Sequence, residues 1–258
     1  MSAAAPATRP RSAAAPGARR VAAQARFETG TLLRNGEQLL VALVLPCAAL
    51  LGLAMTSSPS LGPGRRIDLA VPGVLALCVI SSAFTAQAIA TGFDRRYGVL
   101  RLLGVSPLGR GGLLGAKGIA VLAVETLQLV VIGALGLALG WHPAWAGFVW
   151  GAVFAVVGSW AFVALALLLA GVLRAEGVLA VANLLWVALL VLGGVIVPRN
   201  ELPVGLSHLA AVLPSGALGD GLRAAFVHGH LAAAPLLVLV AWAAAATVLA
   251  SRTFRWSD

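Results

Sequence analysis

An all-α, polytopic membrane protein is the fold class this sequence predicts, on three observations. Of its 258 residues, 60% are hydrophobic and only 10% are charged, against about 25% charged in a typical soluble domain. The apolar residues gather in six runs, each near the roughly 20 residues that a spanning helix needs. The arginines cluster between those runs. A soluble chain of this length could not hide so much apolar surface from water. A soluble enzyme, a disordered chain and a disulfide scaffold are therefore excluded.

Residues 1–25 are rich in Ala, Pro, Ser and Arg and lack Leu, Ile and aromatics, so they are expected to be a disordered tail. Arg19-Arg20 has no apolar core directly after it, and reads as part of a solvated basic tail rather than a twin-arginine signal. The membrane domain is expected over 26–258. Its first run is 38–57 and contains Pro46, and the second is 70–91. A connection over 92–114 leads to the third run, 115–140, followed by the fourth at 146–172 and the fifth at 177–197, which ends at Pro198. A second long connection, 198–231, precedes the sixth run at 232–251. Both connections are too long for simple turns. Trp141 and Trp145 flank the third connection and Trp256 follows the last run, positions that suit interfacial tryptophan. Gly136 with Gly140, and Gly147 with Gly151, form small-xxx-small pairs that predict close packing of the third and fourth runs. Cys47 and Cys78 lie inside apolar runs and read as core thiols rather than a disulfide or a metal site.

The chain carries 18 Lys+Arg against 9 Asp+Glu, a formal net charge of +9. A basic chain invites a nucleic-acid partner. Clustering of the arginines between apolar runs is instead what sets membrane topology, and no nucleic acid is expected. Six spans put both termini on one side. That side would hold 14 of the cations, in the N-terminal tail, the 92–114 connection with Lys117, Arg174 and the C-terminal tail. The other side holds Arg65, Arg66, Arg199 and Arg223. Both termini are therefore expected in the cytoplasm.

Few polar residues fall at membrane depth. Glu125 and Gln128 share a face of the third run. They could hydrogen-bond within the bundle or line a substrate path. Asn183 and Trp186, three apart on the fifth run, allow the same two readings. His142, His208, His228 and His230 all fall on the side opposite the termini, and His228-Gly-His230 alone does not make a metal site. No metal is expected. Asp220 and Arg223 have the spacing of a local ion pair. An intramembrane enzyme would need clustered acids, histidines or serines at helix depth, and only Glu125 is well inside a run. An ion-coupled secondary carrier would show internal repeats and broken helices; apart from Pro46 the sequence offers neither.

In the 92–114 connection, Val99, Leu102 and Leu103 fall on one helical face with Arg95, Arg96 and Arg101 elsewhere, and Pro107 ends the helix. Such a basic amphipathic helix either anchors topology at the membrane surface or docks a cytoplasmic partner. Arg96-Tyr97-Gly98-Val99-Leu100 followed by Arg101-Leu102-Leu103-Gly104-Val105-Ser106-Pro107-Leu108 resembles the connection between the second and third helices of ABC-2-type transporter permeases. Lys117 fits a later basic position of that pattern, while Tyr97 and Val99 stand near where the family often has Glu and Thr. The far connection resembles the family's external region, in Pro198, Leu202-Pro203, Leu213-Pro214 and Gly221-Leu222-Arg223.

The resemblance covers roughly residues 30–252 and implies the following. The chain would be the permease subunit of an ATP-driven exporter in a bacterial plasma membrane. It would move a small amphipathic compound, a lipid or a glycan by alternating access. The inner helix would be the coupling helix, and two short re-entrant helices would precede the last span. A second permease chain, identical or different, would complete a dimer with two ATP-binding subunits. This chain has no Gly-x-x-x-x-Gly-Lys-Ser/Thr phosphate loop. No catalysis and no cofactor are expected in it, and ATP with Mg would sit on the partner. The alternative is an ion-coupled secondary carrier working without an ATPase.

Overall fold

The computed structural model describes residues 16–104 and 107–253. Ser106, Trp256 and Arg255 lie outside them, as do the side chains of Arg101 and Leu103. The described residues are helical almost throughout and contain no strand. Among the described residues, five helices are long and apolar enough to cross a membrane, and a bent pair within residues 17–55 makes a sixth candidate.

That pair consists of α1 (Gly17–Arg34) and α2 (Gly36–Met55), which meet at Asn35. The bend between them is 66°. Helix begins eight residues before the expected end of the disordered tail, because one face of α1 has a partner. Val21, Ala25 and Glu28 recur at helical spacing. Ala25 is buried, and Val21 lies over Gly112 and Gly115. Ala and Arg, which composition assigns to a disordered tail, are also among the best helix formers.

The second span, Arg66–Arg96, is not a single α-helix. It comprises α3 (Arg66–Val79), a π-helical segment (Ile80–Ala86) and α4 (Gln87–Arg96). The short α5 (Val99–Gly104) follows. The remaining spans are α6 (Gly109–Ala138), α7 (Gly147–Val172), α8 (Ala175–Leu192) and, last in the chain, α11 (Ala233–Thr253). Between α8 and α11 lie a 3-10 turn (Arg199–Glu201), α9 (Val204–Val212) and α10 (Pro214–His228). Pro203 precedes α9 and Pro214 opens α10, positions where the missing proline N–H costs nothing.

The core is built by the second span, α7 and α10. Helix α10 is wedged among α3, α7 and α11, while α2 leans on α3 and α6, and α8 on α4. The glycine pairs therefore serve other contacts than those expected. A Cβ on Gly147 would stand 2.0 Å from the Ala225 carbonyl oxygen, and one on Gly151 would stand 2.6 Å from the Phe226 ring. These glycines admit α10 against α7, and Gly136 admits Val71 and Trp141. Trp141 is itself buried, packed edge-on against Phe226 at 5.4 Å, so it is a core residue and not an interfacial one. Trp145 is exposed.

Candidate functional site

At the arginine-rich end, Gly98 adopts φ +77°, a left-handed conformation that glycine takes without a Cβ penalty. It turns α5 away from α4. Leu100 is 0% exposed and pins the short helix to the bundle. Leu102 and Tyr97, each 73% exposed, and the half-exposed Val99 face outward. Tyr97 stacks on Phe93 with ring centroids 6.1 Å apart. The apolar surface expected on this element is present in Val99 and Leu102, with Tyr97 added and Leu100 turned inward.

Its arginines divide. Arg95 is buried and donates to the carbonyls of Ala170, at 2.7 Å, and Leu173. It caps the C-terminal end of α7, where free carbonyls and the helix dipole favour a cation. Arg95, expected with the coupling helix, is therefore buried in the bundle and tied to α7. Arg96 is exposed and pairs with Glu176 in the first turn of α8. Pro107 is exposed, and its carbonyl accepts from Arg20 of α1.

Lys117 is only 1% exposed. A buried ammonium needs paired charge, and two carboxylates supply it. Asp94 of α4 is 3.1 Å away and Glu28 of α1 is 3.3 Å away. Gln24 donates to Glu28 at 3.0 Å. One lysine thus joins α1, α4 and α6. Sequence reading singled out Lys117 and missed both partners. A lysine in an apolar run demands an acid, but Glu28 lay in the segment next to the expected tail and Asp94 among arginines.

At membrane depth, Gln128 is held on both sides. Its Nε2 donates to the Ala42 carbonyl at 2.9 Å, and its Oε1 accepts from Ser82 at 3.1 Å. Pro46 explains the first bond. Four residues on from Ala42, it has no N–H to offer that carbonyl, and Gln128 supplies the donor. Ser82 lies in the π-helical segment, where Ser81 accepts from Trp186 at 3.0 Å. Glu125 is buried between α6 and α7 and accepts from Ser159 through one oxygen, while the other has no partner. Asn183 and Trp186, paired by sequence spacing, part company. Trp186 turns to the π segment, whereas Asn183 is exposed and bonds its own helix at Leu179, 2.8 Å away.

At the opposite end, Arg223 is 7% exposed. Its guanidinium binds the carbonyls of Gly194, Val195 and Ile196, so it fixes the turn that follows α8. Arg199 pairs with Asp220 at 2.9 Å, and Asp220 lies 4.0 Å from Arg223. The expected Asp220–Arg223 pair is present at the limit of contact, with Arg199 the closer partner. Burial pushes Arg223 down to about 10, opposed by Asp220, so it stays cationic at neutral pH. Pro198 precedes the 3-10 turn that carries Arg199.

No group of three or more metal-ligating side chains occurs among the described residues. Comparison with curated proteins finds no match. The family model for the ABC-2 type transporter matches residues 21–227. That stretch takes in the buried lysine, the short exposed helix, the second span with its π-helical segment and most of α10. On that match the chain belongs to the ABC-2 type transporter family and is the permease component of an ABC transporter.

Proposed function

We propose that this permease couples to its ATP-binding partner through α5, and that it works as an exporter. The observation that carries the reading is an outward-facing apolar surface, Val99 and Leu102 on a six-residue helix with Tyr97 just before it, pinned to the bundle by the buried Leu100. An exposed apolar face on a rigid base suits a groove on another protein. Arg96 would orient the encounter. ATP and Mg would bind on two copies of the partner. Closure of those subunits would shift the permease between inward- and outward-open states, and does so only if nucleotide binds the two states unequally.

The peripheral faces of α2 and α8 leave Leu40, Val44, Leu184, Val187 and the polar Asn183 exposed. We assign this surface to a second permease chain, with Asn183 rather than Gln128 toward the cargo. Gln128 is already committed to Ala42 and Ser82. Glu125 is enclosed between α6 and α7 and would reach a polar cargo group only if those helices part. A small amphipathic compound or a lipid suits such a mostly apolar path better than a glycan, in a bacterial plasma membrane with both termini inside.

The test is co-purification from native membranes under several mild detergents. An ATP-hydrolysing protein is expected with the wild type and lost with the Tyr97→Asp, Leu102→Asp double variant. If no ATPase accompanies the wild type, the coupling reading fails and a gradient-driven carrier takes its place. If the double variant retains the ATPase, the docking surface lies elsewhere.

A further inference from the structure

The end of the bundle remote from α5 contains a cavity of about 730 Å³, within the range of small-molecule sites. Neither the coupling element nor the α2/α8 face contributes to it. Its floor is α10, and its walls are the 3-10 turn, α9, the start of α11 and the α2–α3 connection.

The lining mixes two chemistries. Leu61, Leu69 and Val227 are apolar. Arg199 and Arg223 line the cavity with Asp220, so two guanidiniums accompany one carboxylate. The nearby Glu201 is turned to Ser60 at 2.9 Å. His208 and His228 add donors and no negative charge. Arg223 is more than nine-tenths buried, with its Nη atoms committed to the turn after α8. Arg199 is 41% exposed and presents the freer guanidinium to the cavity.

We infer that this cavity is a binding site for an amphipathic anion, with a singly charged carboxylate or phosphate head against Arg199 and Arg223 and an acyl chain along Leu61, Leu69 and Val227. One excess positive charge matches one negative head, and the apolar residues favour an anion that carries an alkyl chain over a small inorganic one. The same chemistry belongs to a free fatty-acid-like amphiphile and to the head of an anionic phospholipid.

The experiment uses the full-length chain, without ATPase, in phosphatidylcholine nanodiscs. A diazirine-bearing fatty acid is photolysed and the labelled peptides are mapped. Saturable labelling within residues 61–69 and 198–235 is expected, competed by laurate and not by dodecanol. Arg199→Gln removes one charge-assisted contact, and half-saturation should weaken on the order of tenfold. Ala224→Phe fills the cavity from α10 and should abolish the saturable label. Arg223 is left unchanged because it also pins the turn after α8. Phosphatidylglycerol in the disc at constant total lipid identifies the source. If it displaces the label the occupant is a lipid head, and if only laurate does, it is a free amphiphile. Unsaturable labelling spread over the lipid-facing helices overturns the site, as does wild-type labelling in both variants. Either failure leaves the coupling reading standing, since no step of the test involves ATP.

Discussion

Gln128 shows how a single side chain can be tied to a backbone defect elsewhere. Proline at position 46 removes the donor that the Ala42 carbonyl would have within α2, and in a membrane no water replaces it. The 2.9 Å bond from Gln128 closes that gap across two helices. Replacing Gln128 by Leu should cost about 1–3 kcal/mol by leaving that carbonyl unpaired. The loss should shrink by half or more when Pro46 is Ala, because residue 46 then donates to Ala42 itself. Unfolding midpoints of the four proteins of this double-mutant cycle in one detergent give the coupling. Equal losses in both backgrounds would mean that Gln128 stabilises through Ser82 alone. The sequence placed Glu125 and Gln128 on one helical face and was right about their spacing. It could not separate their roles, because the Ala42 carbonyl and Ser159 come from other helices.

At the scale of elements, the buried ammonium of Lys117 is the node where α1, α4 and α6 meet. Its two acids are not equally committed, since Asp94 and Glu28 keep 32% and 17% of their side chains exposed. Removal of charge from the two sides should therefore differ. With Lys117→Met both carboxylates can turn partly to water, and the cost is moderate. With Glu28→Gln and Asp94→Asn together, an uncompensated charge is left in a dry site, and the loss should approach the roughly 3–5 kcal/mol of a broken buried pair. Thermal unfolding in detergent ranks the two, and the reverse order would sink the assignment of the node. The helices themselves were largely legible, because six apolar runs and their flanking prolines mark them. Three features were not. Helix α1 depends on a groove on α6 that composition does not reveal. The π-helical turn at Ile80–Ala86 carries only a Ser-Ser pair as a signal. The wedge of α10 depends on Gly147 and Gly151, whose spacing announces a close approach without naming the partner.

For the whole molecule, charge placement decides which end faces the cytoplasm, and only cations outside the packed core enter that balance. The count of 14 cations against four treated every arginine and lysine as a loop charge. Arg95 and Lys117 on one side are buried and locally neutralised or capped, and Arg223 on the other is folded into a turn. Setting those three aside leaves twelve against three, so the asymmetry that orients a membrane protein survives. The excess lies with α1, α5 and the termini, and those should be cytoplasmic. Arg19 and Val204 are exposed at opposite ends, which makes them suitable reporters. In a background with Cys47 and Cys78 replaced by Ala, Val204→Cys should react with a membrane-impermeant maleimide on intact cells. Arg19→Cys should react only after permeabilisation. The opposite pattern would put α5 on the outer face, where no ATP-hydrolysing partner could reach it. It would overturn the coupling proposal and the topology together, while leaving the cavity beside Arg199 and Arg223 intact but turned to the cytoplasm.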